Sequence, residues 1–105
     1  MKCLLLEYSD TRRKYIIKHE NDNEFFVGYL IVEMYQSHWN IELMNVLEHE
    51  QRKGYGTQLL NYLINDMKSI TNKLFTYPIT EESRSFFSKN GFKRDSDGNI
   101  CRIIN

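Results

Sequence analysis

The sequence predicts an α+β domain built around one mixed, mostly antiparallel, twisted sheet. Three observations carry that expectation. The first half holds short β-branched and aromatic runs parted by polar turns, an amphipathic helix starts abruptly behind two glycines, and a lone strand, a shorter helix and a hairpin follow. The expected order is β-β-β-β-α-β-α-β-β. A chain of 105 residues has no room for two cores, so residues 1–105 are expected to form a single domain.

The strands come first. KCLLLEY (residues 2–8) and KYIIKHE (14–20) are short apolar-rich runs joined by the polar turn SDTRR, and ENDNE supplies a second turn rich in Asn and Asp. The basic triplet Arg12, Arg13 and Lys14 is expected to be solvated in the first of these turns. FFVGYLIVEMY (25–35) is a long apolar run. It suits either an exposed edge that pairs in a homodimer or a central strand buried on both faces. QSHWN then turns the chain into IELMNVL (41–47).

From Gly54 the period changes. Leu59, Leu60, Leu63, Ile64, Met67 and Ile70 share one helical face, while Gln58, Asn61, Asn65 and Lys68 fill the other. KLFTY (73–77) is a fifth strand ended by Pro78, which cannot continue a ladder. Thr80 is a suitable N-cap for a short helix carrying Ser83, Phe86 and Phe87, with Asn90 and Gly91 as its C-cap pair. FKRD, the turn SDGN and ICRII form a terminal hairpin turned at Asp97-Gly98.

Charge and cysteine content narrow the function classes. Fourteen basic residues balance fourteen acidic ones, so neither nucleic acid nor a membrane surface is an expected partner. Cys3 and Cys101 lie near opposite ends without metal-ligand spacing, so free thiols, a cytoplasmic protein and no metal are expected. CLLLEY breaks too soon for a signal peptide or a membrane span.

The glycine pair calls for a ligand. A dinucleotide fingerprint needs a third glycine where Leu59 stands, and a Walker loop needs a lysine where Thr57 stands. Gln51-Arg52-Lys53-Gly54-Tyr55-Gly56 instead fits Q/R-x-x-G-x-G/A, between an apolar strand and an amphipathic helix. Here the chain resembles the GNAT superfamily of acetyl-CoA-dependent N-acetyltransferases. SRSFFSKNGFK is similar to a second GNAT signature, A-x-x-F-Y-x-x-x-G-F. Successive N–H groups of residues 52–57, at the positive end of a helix, form an anion nest suited to a pyrophosphate. Gly54 and Gly56 would let the phosphates approach, Thr57 adds a hydroxyl, and Arg52 or Lys53 can pair with a further phosphate such as the 3′-phosphate of CoA.

The resemblance implies more. It predicts a minimal GNAT fold in which the strands on either side of the long helix splay apart, with pantetheine lying along residues 44–47, where Met44 and Val46 sit, and near residues 75–77. Acetyl-CoA would be the acyl donor, passing its acetyl group directly to an exposed amine, such as a protein lysine or N-terminus. The family's base is usually a carboxylate on the strand before the loop. Glu42 is the candidate, since strand alternation sets it on one face with Met44 and Val46, although an exposed strand residue without a role reads the same. Glu33, Glu48 and His49 are weaker candidates. Phe87 stands where the family has its tyrosine acid; it can pack on pantetheine but not donate a proton, so Tyr77 or solvent must serve. Thr80 and Ser83 stand for the family's Asn and Ala, and Phe86 precedes Phe87 in the motif.

Where most GNAT domains carry a helix pair between the first two strands, SDTRR stands alone. The open site that follows suits an amine on a macromolecule, and the layout resembles compact phage-encoded anti-CRISPR acetyltransferases. Two other readings keep the fold: an acyl-CoA-binding module that has lost catalysis, and a protein-interaction domain. His38 and Trp39 are expected at a surface turn and His19 at a strand end. An acetyl-cysteine route through Cys3 or Cys101 lacks a neighbouring activating group in sequence.

Overall fold

The structure, a computed structural model, describes residues 1–104. Four antiparallel strands form a meander: β1 (Lys2–Tyr8), β2 (Arg12–Lys18), β3 (Gly28–Met34) and β4 (Trp39–Val46). A 3-10 turn (Glu48–Glu50) and the glycine loop lead into α1 (Tyr55–Met67). β5 (Lys73–Thr76), α2 (Glu81–Lys89), β6 (Lys93–Arg94) and β7 (Ile100–Ile103) complete the chain. The seven strands make one sheet in the order β1-β2-β3-β4-β5-β7-β6, with β4 and β5 parallel and every other pair antiparallel. Among the described residues no helix is long and apolar enough to cross a membrane.

Both helices lie on one face. Leu59, Leu60, Leu63 and Met67 of α1 and Phe87 of α2 share a core with Tyr15, Leu30, Val32, Trp39, Ile41 and Leu74 from the sheet. Each buried aliphatic side chain contributes about 1.5–3 kcal/mol, so α1 is held by its apolar stripe rather than by propensity. The stripe ends one turn earlier than its period suggests. Ile70 lies past the last helical residue, Met67, and is 57% exposed. α2 follows the expected caps: the Thr80 hydroxyl accepts from the Ser83 N–H at 3.0 Å, and Gly91 closes it with a φ of +88°.

The opposite face carries the rows Ile16, Tyr29, Asn45 and Lys14, Ile31, Leu43, with no helix over them among the described residues. That face carries no helix because residues 9–11 alone join β1 to β2, as a turn in which Ser9 Oγ accepts from the Thr11 and Arg12 N–H groups, although Ile16 upon it is buried by its neighbours.

Several expectations change. The basic triplet is not a turn, since Arg12, Arg13 and Lys14 open β2 and alternate between its faces. Arg13 reaches the helix side, where its Nη1 donates to Asp66 Oδ2 at 2.7 Å and its guanidinium lies 5.1 Å from the Trp39 ring centroid. Tyr15 Oη donates to the same Asp66 oxygen, and burial, then that hydrogen bond, pushes its phenol pKa well up. Trp39 is no surface-turn residue; it begins β4 and is 2% exposed. β3 is paired on both sides, so the reason for expecting an edge-to-edge homodimer through it falls away. Cys3 on β1 and Cys101 on β7 are separated by four strands, and both thiols are free.

Candidate functional site

The parallel junction is short. β4 and β5 pair only through Trp39 with Leu74, Asn40 with Phe75 and Ile41 with Thr76. β4 then runs on to Val46, whereas β5 stops at Thr76, two residues before Pro78. The strands therefore part, and a cleft of about 590 Å³ opens between the end of β4, the glycine loop and α2. Met44, Val46, Gln51, Arg52, Gly54, Tyr55, Gly56 and Thr57 line one side, and Thr80, Ser83, Phe86 and Phe87 the other. Lys53 alone of the expected ligand-binding set is not on the wall.

The loop is built to leave its donors free. The Gln51 side chain donates to the Val46 carbonyl at 2.8 Å, clipping the loop to the end of β4. Arg52 has a left-handed φ of +66°, and Gly54, the N-cap of α1, has +83°. Turning the backbone twice in this way points successive N–H groups inward, the geometry of an anion nest. The first turn of a helix adds donors with no intrahelical partner. Among the described residues, the N–H groups of Arg52, Lys53, Gly54, Tyr55, Gly56 and Thr57 find no hydrogen-bond partner; the first to do so is Gln58, which donates to the Gly54 carbonyl at 3.0 Å. A non-glycine residue held left-handed costs about 1–2 kcal/mol, and Arg52 bears that cost where a ligand would recover it.

The two glycines serve different ends. A Cβ at Gly54 would meet nothing within 4 Å, so this glycine answers only for its φ. A Cβ at Gly56 would sit 3.1 Å from the Phe86 ring, so this one lets α2 approach the start of α1 rather than clearing space for phosphate.

The loop's cations differ too. Lys53 is turned aside to Glu50, at 3.2 Å, and that hydrogen bond leads the causes that hold the Glu50 carboxyl below its usual range, with His19 at 3.6 Å contributing less. Arg52 has no carboxylate partner within 4.0 Å among the described residues, which leaves its guanidinium for a phosphate. The Thr80 and Ser83 hydroxyls are committed to one another, 2.7 Å apart, in the α2 capping box.

Asn45, Glu50, Glu82, Ser85 and Lys89 also line the cleft and are missing from the sequence-based set. For α2 the signal exists: Glu82, Ser85, Phe86 and Lys89 fall at the three- and four-residue spacing of one helical face. Phe87, 5% exposed, belongs to the core and packs edge-on against Phe86 and Phe92, with centroids 5.1 Å away in each case.

Glu42 is not on the face of Met44 and Val46. The β3–β4 register pairs Val32 with Ile41 and Ile31 with Leu43, leaving Glu42 as the extra residue of a β-bulge. Met44 thus joins the core side, and the Glu42 carboxylate turns to the uncovered face, where Arg12 Nη2 donates to it at 2.7 Å. Glu33 is on that face as well, accepting from Tyr35 Oη at 3.1 Å. The Glu33 hydrogen bond, then its charge, raises the Tyr35 phenol pKa, and Glu42 and Tyr77 add smaller effects in the same sense. Glu33, Tyr35, Glu42 and Tyr77 therefore share one neighbourhood where β4 and β5 part. Tyr77 is 61% exposed and its hydroxyl has no partner among the described residues.

The other candidates fall elsewhere. Glu48 and His49 sit on the 3-10 turn, at the loop end of β4. His38 stacks on Tyr35, centroids 5.0 Å apart, and meets Phe75 edge-on at 4.8 Å. Burial raises the pKa of both Cys3 and Cys101, opposite to what a thiolate nucleophile needs. Among the described residues no cluster of three or more His, Cys, Asp or Glu could hold a metal ion.

The sequence model of the acetyltransferase (GNAT) family matches residues 2–92. No curated protein matches the chain. Among solved structures, Tetrahymena GCN5 is similar at a TM-score of 0.77 and 22% identity, over 92% of this chain and 71% of that one. An acetyltransferase from Thermus thermophilus gives 0.75 and 20%, over 90% of this chain and 66% of that one. A GNAT acetyltransferase from Elizabethkingia anophelis, solved with acetyl-CoA bound, gives 0.72 and 16%, over 90% and 77%. At these identities the likeness to each is one of fold.

Proposed function

The chain belongs to the GNAT family of acetyltransferases, and from that premise we propose that it transfers an acetyl group from acetyl-CoA to the amine of a protein acceptor, a lysine or an N-terminus. The single observation that carries the donor half is the row of six N–H groups, residues 52–57, left without partners at the head of α1. A pyrophosphate is the anion whose size and charge match a run of donors beside a helix N-terminus. Acetyl-CoA, when bound, supplies the acyl group as a reactive thioester.

The chain's own residues supply the rest. The loop and Arg52 hold the phosphates, and Met44, Val46 and Phe86 give the arm an apolar wall. The end of β4 beyond Ile41 has no strand partner on its β5 side, so its backbone is free to orient the carbonyl. Glu42, on the uncovered face, accepts the proton that the acceptor's ammonium must lose before its nitrogen can attack, directly or through water. Tyr77, just past the end of β5, donates one to the departing sulfur. The acceptor half rests on the uncovered face: a site without a wall admits a residue on a large partner. The likeness in layout to compact phage-encoded anti-CRISPR enzymes is carried by the same missing helices.

One observation favours a second reading, an acyl-CoA-binding module without catalysis. Phe87 takes the place of the family's acid and is locked in the core, so no small movement restores a donor there. A thermal-shift titration with acetyl-CoA, run beside CoA, ATP and NAD, tests the donor site. A ligand at a hundred times its dissociation constant adds about 2.7 kcal/mol. Stabilisation by acetyl-CoA and CoA alone is expected; none at millimolar ligand would refute both readings. Single-turnover acetylation of lysine peptides then separates enzyme from binder.

A further inference from the structure

We propose that Arg12 determines the acceptor's flanking charge: its guanidinium is the resident cation of the Glu33–Glu42 carboxylate pair, and a basic group beside the acceptor amine takes its place against Glu33, leaving Glu42 to the amine. This rests on the acetyltransferase reading above. The starting point is that Arg12 has no structural task. Its neighbour in sequence, Arg13, is bound into the helix-side core by Asp66 and Trp39, whereas the Arg12 side chain bonds nothing but Glu42, at 2.7 Å, among the described residues. Both partners keep access to solvent, with side-chain exposures of 52% and 34%. An exposed ion pair of this kind gains little net stability, so an incoming cation displaces it readily.

The surroundings give the exchange a direction. Glu33 stands directly opposite Arg12 in the β2–β3 register and has no cationic partner within 4.0 Å among the described residues. Two other cations on this face are engaged by rings: Lys14 over Phe26 and Tyr29, at 5.6 and 5.5 Å, and Lys73 over Phe75, at 5.5 Å; Lys18 is held by the Asp22 carbonyl and Asn23 Oδ1, at 2.8 and 3.1 Å. Glu33, Glu42 and Arg12 together carry one negative charge, and removing Arg12 leaves two. Tyr35 and Tyr77 offer aromatic faces at the same place, both more exposed than buried or nearly so. Cations take such faces together with carboxylates. An acceptor bringing its own lysine or arginine therefore finds a carboxylate pair with aromatic flanks, at the cost of moving one arginine.

The test compares acetylation of peptides holding one reactive lysine flanked by Lys and Arg, by Ala, or by Asp and Glu. In Arg12→Gln the KM for the basic-flanked peptide should fall about fivefold, the effect of one unit charge a few ångströms away near a protein surface. The KM for the Ala-flanked peptide should change less than twofold, and that for acetyl-CoA should not move. In Arg12→Gln/Glu33→Gln the gain should vanish. Anisotropy of a labelled basic peptide on CoA-loaded protein gives the same comparison without turnover. An unchanged KM for the basic peptide would overturn the proposal. So would a rise confined to the acidic-flanked peptide, which would make Arg12 a carboxylate receptor instead. Loss of the acetyl-CoA thermal shift in the wild-type protein overturns the parent reading and this one together. A retained shift with unchanged peptide selectivity overturns only the role of Arg12.

Discussion

Gly54→Ala and Gly56→Ala should fail in different ways, and Gly56→Ala should do harm here although the motif admits alanine at that second position. At Gly54 the new methyl meets open space, so the whole cost is that of holding alanine at a φ of +83°. That is about 1–2 kcal/mol, or a fall in Tm of about 4–8 °C for each kcal/mol in a domain near this size. The N–H groups stay where they are, so the affinity for acetyl-CoA should hold within about threefold. At Gly56 the methyl would stand 3.1 Å and 3.2 Å from two atoms of the Phe86 ring and 3.5 Å from the Met44 Cε. Overpacking costs about 1–3 kcal/mol where nothing yields. Phe86 is partly buried on the cleft wall, so it yields toward the space the ligand needs. Stability should then fall little and acetyl-CoA affinity at least tenfold. Melting curves with and without acetyl-CoA, paired with calorimetric titration, read both quantities. A Gly54→Ala protein that melts normally yet no longer binds would refute this division of labour between the two glycines.

Other substitutions probe other parts. Arg52→Ala should weaken CoA more than its 3′-dephospho form if the guanidinium serves the 3′-phosphate, and both alike if it serves the pyrophosphate; titration of the two ligands decides. Glu42→Gln and Tyr77→Phe should each lower kcat at least tenfold with the dissociation constant of acetyl-CoA unchanged; a Tyr77→Phe enzyme at full rate would hand the leaving group's proton to solvent. Tyr15→Phe tests the cluster beneath α1. The Tyr15 phenol is held protonated more firmly in the folded chain than in the unfolded one. Its contribution is thus complete below about pH 10, the ordinary tyrosine value, and is lost as pH rises beyond it. Chemical unfolding between pH 8 and 11 should show that decline in the wild type and a shallower one in Tyr15→Phe.

Elements with a signal of their own are legible in the sequence. The change from alternating to helical period at Gly54, the Thr80 cap and the Asn90-Gly91 stop each act within a few residues, and the structure places each as expected. Features decided by distant partners are not. Arg13 reads as a solvated charge because its partner, Asp66, lies 53 residues away. The facing of Glu42 follows from a bulge, and a bulge is a property of two strands, so alternation along one strand gives the wrong side. The glycine loop lies between these cases. Its motif is plain, yet neither the left-handed Arg52 nor the tie between Gln51 and Val46 has a local marker, since arginine rarely takes that conformation and glutamine ordinarily faces solvent.

The three-pair junction between β4 and β5 also divides the molecule in time. β1 to β4 form by successive hairpins between near neighbours, whereas the parallel junction must wait for a loop closed through all of α1. The meander should assemble first and the C-terminal strands dock last. In deuterated solvent the amides of β5 and β7 should then exchange as one unit ahead of those in β2 and β3. A molecule held at once by the glycine loop and by α2 spans that junction and resists its opening. Occupancy of the cleft would be recorded as slowed exchange in β7, a strand that contributes nothing to the cleft wall.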